Sequence, residues 1–129
     1  MARPTILVVD DEIDMCWLLT EMLQSQGYDV MASTTAQGGV YLSQGRPADL
    51  AIIDCKLPDM DGLALVNQLH QVQPNLTVLL ISGYYYAEDR DVEERLRQGV
   101  VSAYISKPFE IDDVRRVVAR LLSDAQVSG

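Results

Sequence analysis

Five short apolar runs, at residues 5–9, 29–31, 50–53, 76–81 and 103–106, alternate along the chain with five segments of helical character. Strict β–α alternation leaves few folds open. It predicts a single parallel sheet covered by helices on both faces. The runs are continuously apolar rather than alternating, as strands buried on both sides require. Between residues 13 and 26, Ile13, Trp17, Leu18 and Met22 recur at three-to-four spacing, Leu19 and Leu23 widen the stripe, and Gly27 ends it. A second helix is predicted over about 35–43, weakened by Gly38-Gly39 and broken by Gly45-Arg46-Pro47. Leu63, Val66 and Leu69 open a third helix that closes at Pro74-Asn75. A charged segment at 87–98, stopped by Gly99, predicts the fourth helix, and Ile111, Val114, Val117, Val118, Leu121 and Leu122 the fifth.

At 129 residues the chain has the length of one domain and enough material for a core without disulfides or a structural metal. Residues 1–122 read as that domain, and 123–129 as a flexible tail or the start of a linker. Ten basic against 19 acidic residues give a net charge of −9, which argues against direct nucleic-acid binding by this domain, since phosphate contacts need basic patches. No apolar run approaches the roughly 18–20 residues of a membrane span. Cys16 and Cys55 have no zinc spacing and form no disulfide framework, so a reduced, cytoplasmic compartment is expected.

In open parallel sheets, ligands bind beyond the carboxyl ends of the strands, at the point where the strand order reverses. The residues at those ends can be read off directly. Asp10, Asp11 and Glu12 follow the first strand, Asp54 the third, Ser82 the fourth and Lys107 the fifth. In the order 2-1-3-4-5, strands one and three are neighbours, and Asp10, Asp11 and Asp54 converge. Three carboxylates in one pocket repel unless a cation joins them, and hard oxygen donors suit Mg²⁺. A divalent ion and the Lys107 ammonium would balance three carboxylates. Asp54, ending the central strand, is the best nucleophile for an aspartyl phosphate. Lys107 and the Ser82 hydroxyl would contact the phosphoryl oxygens, because phosphoryl transfer needs positioning and charge neutralisation above all.

Four motifs then occur in order: Val9-Asp10-Asp11-Glu12, Asp54-x-x-Leu57-Pro58-x-Met60-x-Gly62, Ser82-Gly83, and Tyr104-x-x-Lys107-Pro108-Phe109. In these the chain resembles the response-regulator receiver domain of two-component signalling, over essentially all of 5–122. The resemblance implies a flavodoxin-like, doubly wound five-stranded sheet. It also implies that Asp54 accepts a phosphoryl group from a sensor histidine kinase or phosphotransfer protein in a Mg²⁺-dependent reaction. By the same resemblance, Asp11 is a direct metal ligand, Asp10 acts mostly through water, and the backbone carbonyl of Lys56 is the third protein ligand. Ser82 and Tyr104 are the implied switch pair: Ser82 moves toward the phosphoryl group, and the Tyr104 ring turns inward, reshaping the face of the fourth helix, fifth strand and fifth helix. Lys107-Pro108 is expected to be cis. Lys56 and Tyr84, each two residues beyond a functional one, are expected at the pocket rim, where they would tune phosphotransfer and hydrolysis rates.

Plainer readings compete at several positions. Asp10-Asp11 would serve as a helix cap, but Asp54 and Lys107 together favour metal binding. His70 reads as a surface residue on the polar side of its helix, Trp17 and Cys16 as packing, and Cys55 as a buried sheet residue. Two other functions are open: a phosphorylation-independent pseudo-receiver, against which the complete Asp10, Asp11, Asp54 and Lys107 set argues, and an Asp-nucleophile phosphatase. The latter wants a second Asp two residues after the nucleophile, where this chain has Lys56. A signalling phospho-acceptor, rather than a metabolic enzyme, is the expectation. It would act through an output domain or partner, with a phosphorylation-dependent homodimer across the fourth helix.

Overall fold

The computed structural model describes residues 3–83 and 90–128. Strands β1 (Thr5–Val9), β2 (Asp29–Ser33), β3 (Leu50–Asp54), β4 (Thr77–Ser82) and β5 (Ala103–Ser106) alternate with helices α1 (Ile13–Ser25), α2 (Ala36–Gly45), α3 (Gly62–Val72), α4 (Arg90–Gln98) and α5 (Ile111–Ser128). All four pairings are parallel, in the order β2-β1-β3-β4-β5. This is the doubly wound arrangement that the alternation predicts.

Because successive strand side chains point to opposite faces, each strand feeds two core layers. Leu7, Val9, Ala51, Ile53, Val78 and Leu80 meet Leu65, Val66 and Leu69 of α3 on one side. Ile6, Val8, Leu50, Ile52, Leu79 and Ile81 meet Cys16, Leu19 and Leu23 of α1 and Val114 and Val118 of α5 on the other. Burying side chains of this size is worth about 1.5–3 kcal/mol each, and it explains why the central positions of β1, β3 and β4 are all apolar.

Two helices depart from the sequence pattern. Along α1 the buried set is Cys16, Leu19 and Leu23, whereas Ile13 (73%), Trp17 (64%) and Leu18 (42%) stay exposed. Spacing identifies a stripe but not its rotation. Here the start of the helix is set by Glu12 N donating to Asp10 Oδ1 (2.9 Å) and by Cys16 Sγ donating to the Asp10 carbonyl (3.2 Å), which turns Cys16 inward and Trp17 out. Helix α5 continues past Leu122, where the apolar spacing ends, to Ser128, so residues 123–128 are helical rather than an irregular tail.

Gly38-Gly39, a weakness on propensity, lies within α2. A Cβ on Gly39 would stand 2.7 Å from Val9 Cγ2, so α2 lies against β1 only because no side chain intervenes. His70, expected at the surface, is only partly exposed. It is half-buried, with Nε2 2.9 Å from the Leu76 carbonyl, and it ties the end of α3 to the start of β4.

Candidate functional site

The register brings the strand ends together. Val9 lies opposite Ile53, Asp54 opposite Ile81 and Ser82 opposite Ser106, so the residues just beyond them form one rim. Asp10 and Asp54 are buried, 2% and 5% exposed, while Asp11 and Glu12 are exposed. The ammonium of Lys107 stands among three carboxylates, 2.9 Å from Glu12 Oε1, 3.2 Å from Asp10 Oδ2 and 3.2 Å from Asp54 Oδ2. The Lys107-Pro108 peptide, in the connection from β5 to α5, is cis.

Backbone geometry positions the central carboxylate. Asp54 Oδ1 accepts from Lys56 N (3.1 Å) and Oδ2 from Lys107 Nζ (3.2 Å). The loop after Asp54 folds back so that Gly62 N donates to the Cys55 carbonyl (2.8 Å). A Cβ at Gly62 would stand 2.3 Å from the Asp54 carbonyl oxygen and 2.7 Å from Cys55 Cα, both backbone atoms that cannot swing aside. Only glycine lets α3 begin this close to Asp54. The side chain of Lys56 is exposed at the rim.

Electrostatics separate the charged groups. Burial, the largest influence, pushes the Asp10 carboxyl up to about 6 from its usual 3.8; the Glu12 amide and Lys107 act against it, and Asp54 adds to it. Burial also raises Asp54, against the Lys56 amide and Lys107. For Lys107, burial disfavours the charged form, but the Glu12 hydrogen bond and the Asp10 and Asp54 charges prevail and raise its pKa. One ammonium shared among three carboxylates is held firmly by all of them yet compensates each only in part.

That partial compensation bears on a metal. Asp10 Oδ2 is buried and makes no hydrogen bond among the described residues; the Lys107 contact is an ion pair off the hydrogen-bonding direction. Carboxylate oxygens of Asp10, Asp11 and Glu12 lie within 4.8 Å of one another. Hard oxygen donors, one of them buried and short of partners, fit Mg²⁺.

Ser82 and Tyr104, from neighbouring strands β4 and β5, meet through their hydroxyls. Ser82 Oγ, fully buried, donates to the Gly83 carbonyl (2.8 Å) and lies 3.0 Å from Tyr104 Oη, which also accepts from Ser106 Oγ at 3.4 Å. The tyrosine ring is already half-buried, packed against the core layer of α3. Tyr84 lies outside the described residues. Both cysteines are buried, and burial raises the Cys16 thiol, which disfavours a reactive thiolate.

Two residues of the site were given no role on sequence. Glu12 contributes the shortest contact to Lys107. Asp59, in the loop between β3 and α3, accepts from Ala36 N (2.9 Å) and Gln37 N (3.0 Å), and these two amides lower its pKa. It thereby ties the Asp54 loop to the first turn of α2. Its motif, Pro58-Asp59-Met60, was visible in the sequence, but its partners lie in a different helix.

A family model of the response regulator receiver domain matches residues 6–119. Sporulation initiation phosphotransferase F of Bacillus subtilis (strain 168) is 30% identical over 95% of this chain and 96% of its own length. The DNA-binding transcriptional regulator NtrC of Escherichia coli (strain K12) is 31% identical over 98% of this chain, but the chain spans 26% of that protein. About a quarter of the length is likewise what the chain spans of the transcriptional regulatory protein ZraR, at 27%. A CheY-like response regulator receiver domain protein from Methanospirillum hungatei JF-1 superposes with a TM-score of 0.90 at 26% identity, covering 99% of this chain and 100% of that one.

Proposed function

The chain belongs to the response regulator receiver family, and from that premise we propose that Asp54 accepts a phosphoryl group from a phosphohistidine of a sensor histidine kinase or phosphotransfer protein. The observation that carries this reading is the state of Asp54: a buried carboxylate at a strand end, oriented by the Lys56 amide and the Lys107 ammonium. One carboxylate oxygen attacks phosphorus, the bond from phosphorus to the donor imidazole nitrogen breaks, and the imidazole leaves with that electron pair. Asp10, Asp11 and the Lys56 carbonyl would hold Mg²⁺, which supplies charge neutralisation to the phosphoryl oxygens. Lys107 pairs with another of those oxygens.

Ser82 completes the cradle by turning its hydroxyl from Gly83 and Tyr104 to the phosphoryl group. Tyr104 then loses the nearer of its two hydroxyl partners, and its half-buried ring repacks. The switch is therefore a population shift between two packings, read out on the face of α4, β5 and α5 by an output domain or a partner, or by a second copy. Lys56 and Tyr84 set the rates of transfer and hydrolysis. The exposed Ile13, Trp17 and Leu18 of α1, next to the acidic pocket in sequence, offer the kinase an apolar face. Among the described residues no helix is long and apolar enough to cross a membrane.

Intact mass after incubation with acetyl phosphate tests the reading. A gain of one phosphoryl group that needs Mg²⁺ and is lost in Asp54→Asn is the expected result. No gain from acetyl phosphate or from any purified histidine kinase would instead make the chain a phosphorylation-independent interaction module.

A further inference from the structure

Glu12 occupies the N-cap position of α1, yet its side chain makes no capping hydrogen bond. Glutamate is a poor cap, and its position in the helix does not explain its conformation. Its carboxylate instead reaches 2.9 Å to Lys107 Nζ, the shortest contact that ammonium makes, although the Glu12 side chain is 61% exposed. An exposed ion pair of this kind adds little to stability. The other two oxygens on Lys107, Asp10 Oδ2 and Asp54 Oδ2, are buried and belong to the pocket where a divalent cation is proposed to sit.

Lys107 is thus the resident cation of the pocket, and a second cation must displace it from Asp10 and Asp54 without expelling it from the site. We propose that Glu12 is a positioning residue that makes this exchange possible: it takes over the Lys107 ammonium at the pocket mouth when Mg²⁺ enters, and keeps it within reach of the incoming phosphoryl group. The proposal rests on the Mg²⁺-dependent reading given above. With Glu12 neutral, Lys107 has no alternative anion and competes with the metal for Asp10 and Asp54. With Lys107 neutral there is no competitor, and Glu12 loses its importance.

A double-mutant cycle on Mg²⁺ affinity, measured by calorimetry on the full chain without any phosphoryl donor, separates these cases. Glu12→Gln should weaken Mg²⁺ binding by about five- to tenfold in the wild-type background and by less than about twofold beside Lys107→Gln, a coupling of ordinary size for linked sites. Glu12→Asp, which keeps the charge but shortens the reach, should resemble Glu12→Gln, and the melting temperature of both variants without metal should stay near that of the wild type. Equal weakening in both backgrounds would make Glu12 a metal ligand or a long-range charge and overturn the proposal, as would full affinity in Glu12→Gln. A wild type that binds no Mg²⁺ would overturn the metal reading itself, and a wild type that binds Mg²⁺ without the coupling would overturn only the role of Glu12.

Discussion

Asp10→Asn should make the metal-free protein more stable, an unusual result for a substitution at a buried functional site. Burial raises the Asp10 carboxyl from 3.8 to about 6, so between those values the folded state holds a proton that the unfolded state has released. Stability associated with Asp10 is therefore present below about pH 4 and is lost as pH rises through 6. A difference of about two units corresponds to about 3 kcal/mol at neutral pH. Asparagine keeps an oxygen to accept from Glu12 N, and Lys107 keeps Glu12 and Asp54, but the lost ion pair offsets part of the gain. The expected net stabilisation is about 1–3 kcal/mol, or roughly 4–10 °C in melting temperature for a domain of this size. Thermal or urea denaturation in EDTA at pH 7.5 and again at pH 4 is the assay. The gap should close at the lower pH, and Mg²⁺ at tenfold its dissociation constant should stabilise the wild type by about 1.4 kcal/mol and the variant by less. A variant no more stable than the wild type at pH 7.5, or a gap that ignores pH, would refute the view that Asp10 is an under-compensated buried charge.

Gly62→Ala drives a Cβ onto the Asp54 carbonyl, so it should lower stability by about 1–3 kcal/mol and slow phosphorylation from acetyl phosphate several-fold. An unchanged rate would mean that the loop can move without disturbing Asp54. Asp59→Ala removes the acceptor for two α2 amides, and hydrogen exchange at Ala36 and Gln37 should quicken while Asp54 remains phosphorylatable. Tyr84→Ala should shorten the lifetime of the phosphorylated form, measured by loss of the added mass; an unchanged lifetime would remove Tyr84 as a shield against water. Sedimentation with and without a phosphoryl mimic should show a dimer only with the mimic, and a monomer in both would exclude the α4-face homodimer.

Much of this molecule could be read from local pattern. The apolar runs located the strands because strand interiors buried on both faces are apolar, with polar residues left to the strand ends, and the same rule put Asp10, Asp54, Ser82 and Lys107 at or just beyond the carboxyl ends. Local pattern was less informative wherever the outcome depended on what lies across the fold. The helical spacing of α1 fitted a stripe containing Trp17 as well as the one observed, and only the anchoring of Glu12 N and Cys16 Sγ to Asp10 chose between them. Gly38-Gly39 counted against a helix until the approach of Val9 gave a reason for Gly39. His70 looked solvated because its partner, the Leu76 carbonyl, is set by the turn that leads into β4.

The composition and order of side chains by themselves determined the parallel sheet, the inventory of charged groups at its carboxyl edge and the family to which they belong. The tertiary structure alone decided how those charges are shared. It put one ammonium among three carboxylates, left Asp10 Oδ2 without a hydrogen bond, gave Glu12 a partner 95 residues away, and brought the Ser82 hydroxyl to 3.0 Å from that of Tyr104. The reason is physical: hydrophobic pattern is a one-dimensional property that strand and helix periods preserve, whereas electrostatic compensation depends on distances and burial that exist only once the chain has folded.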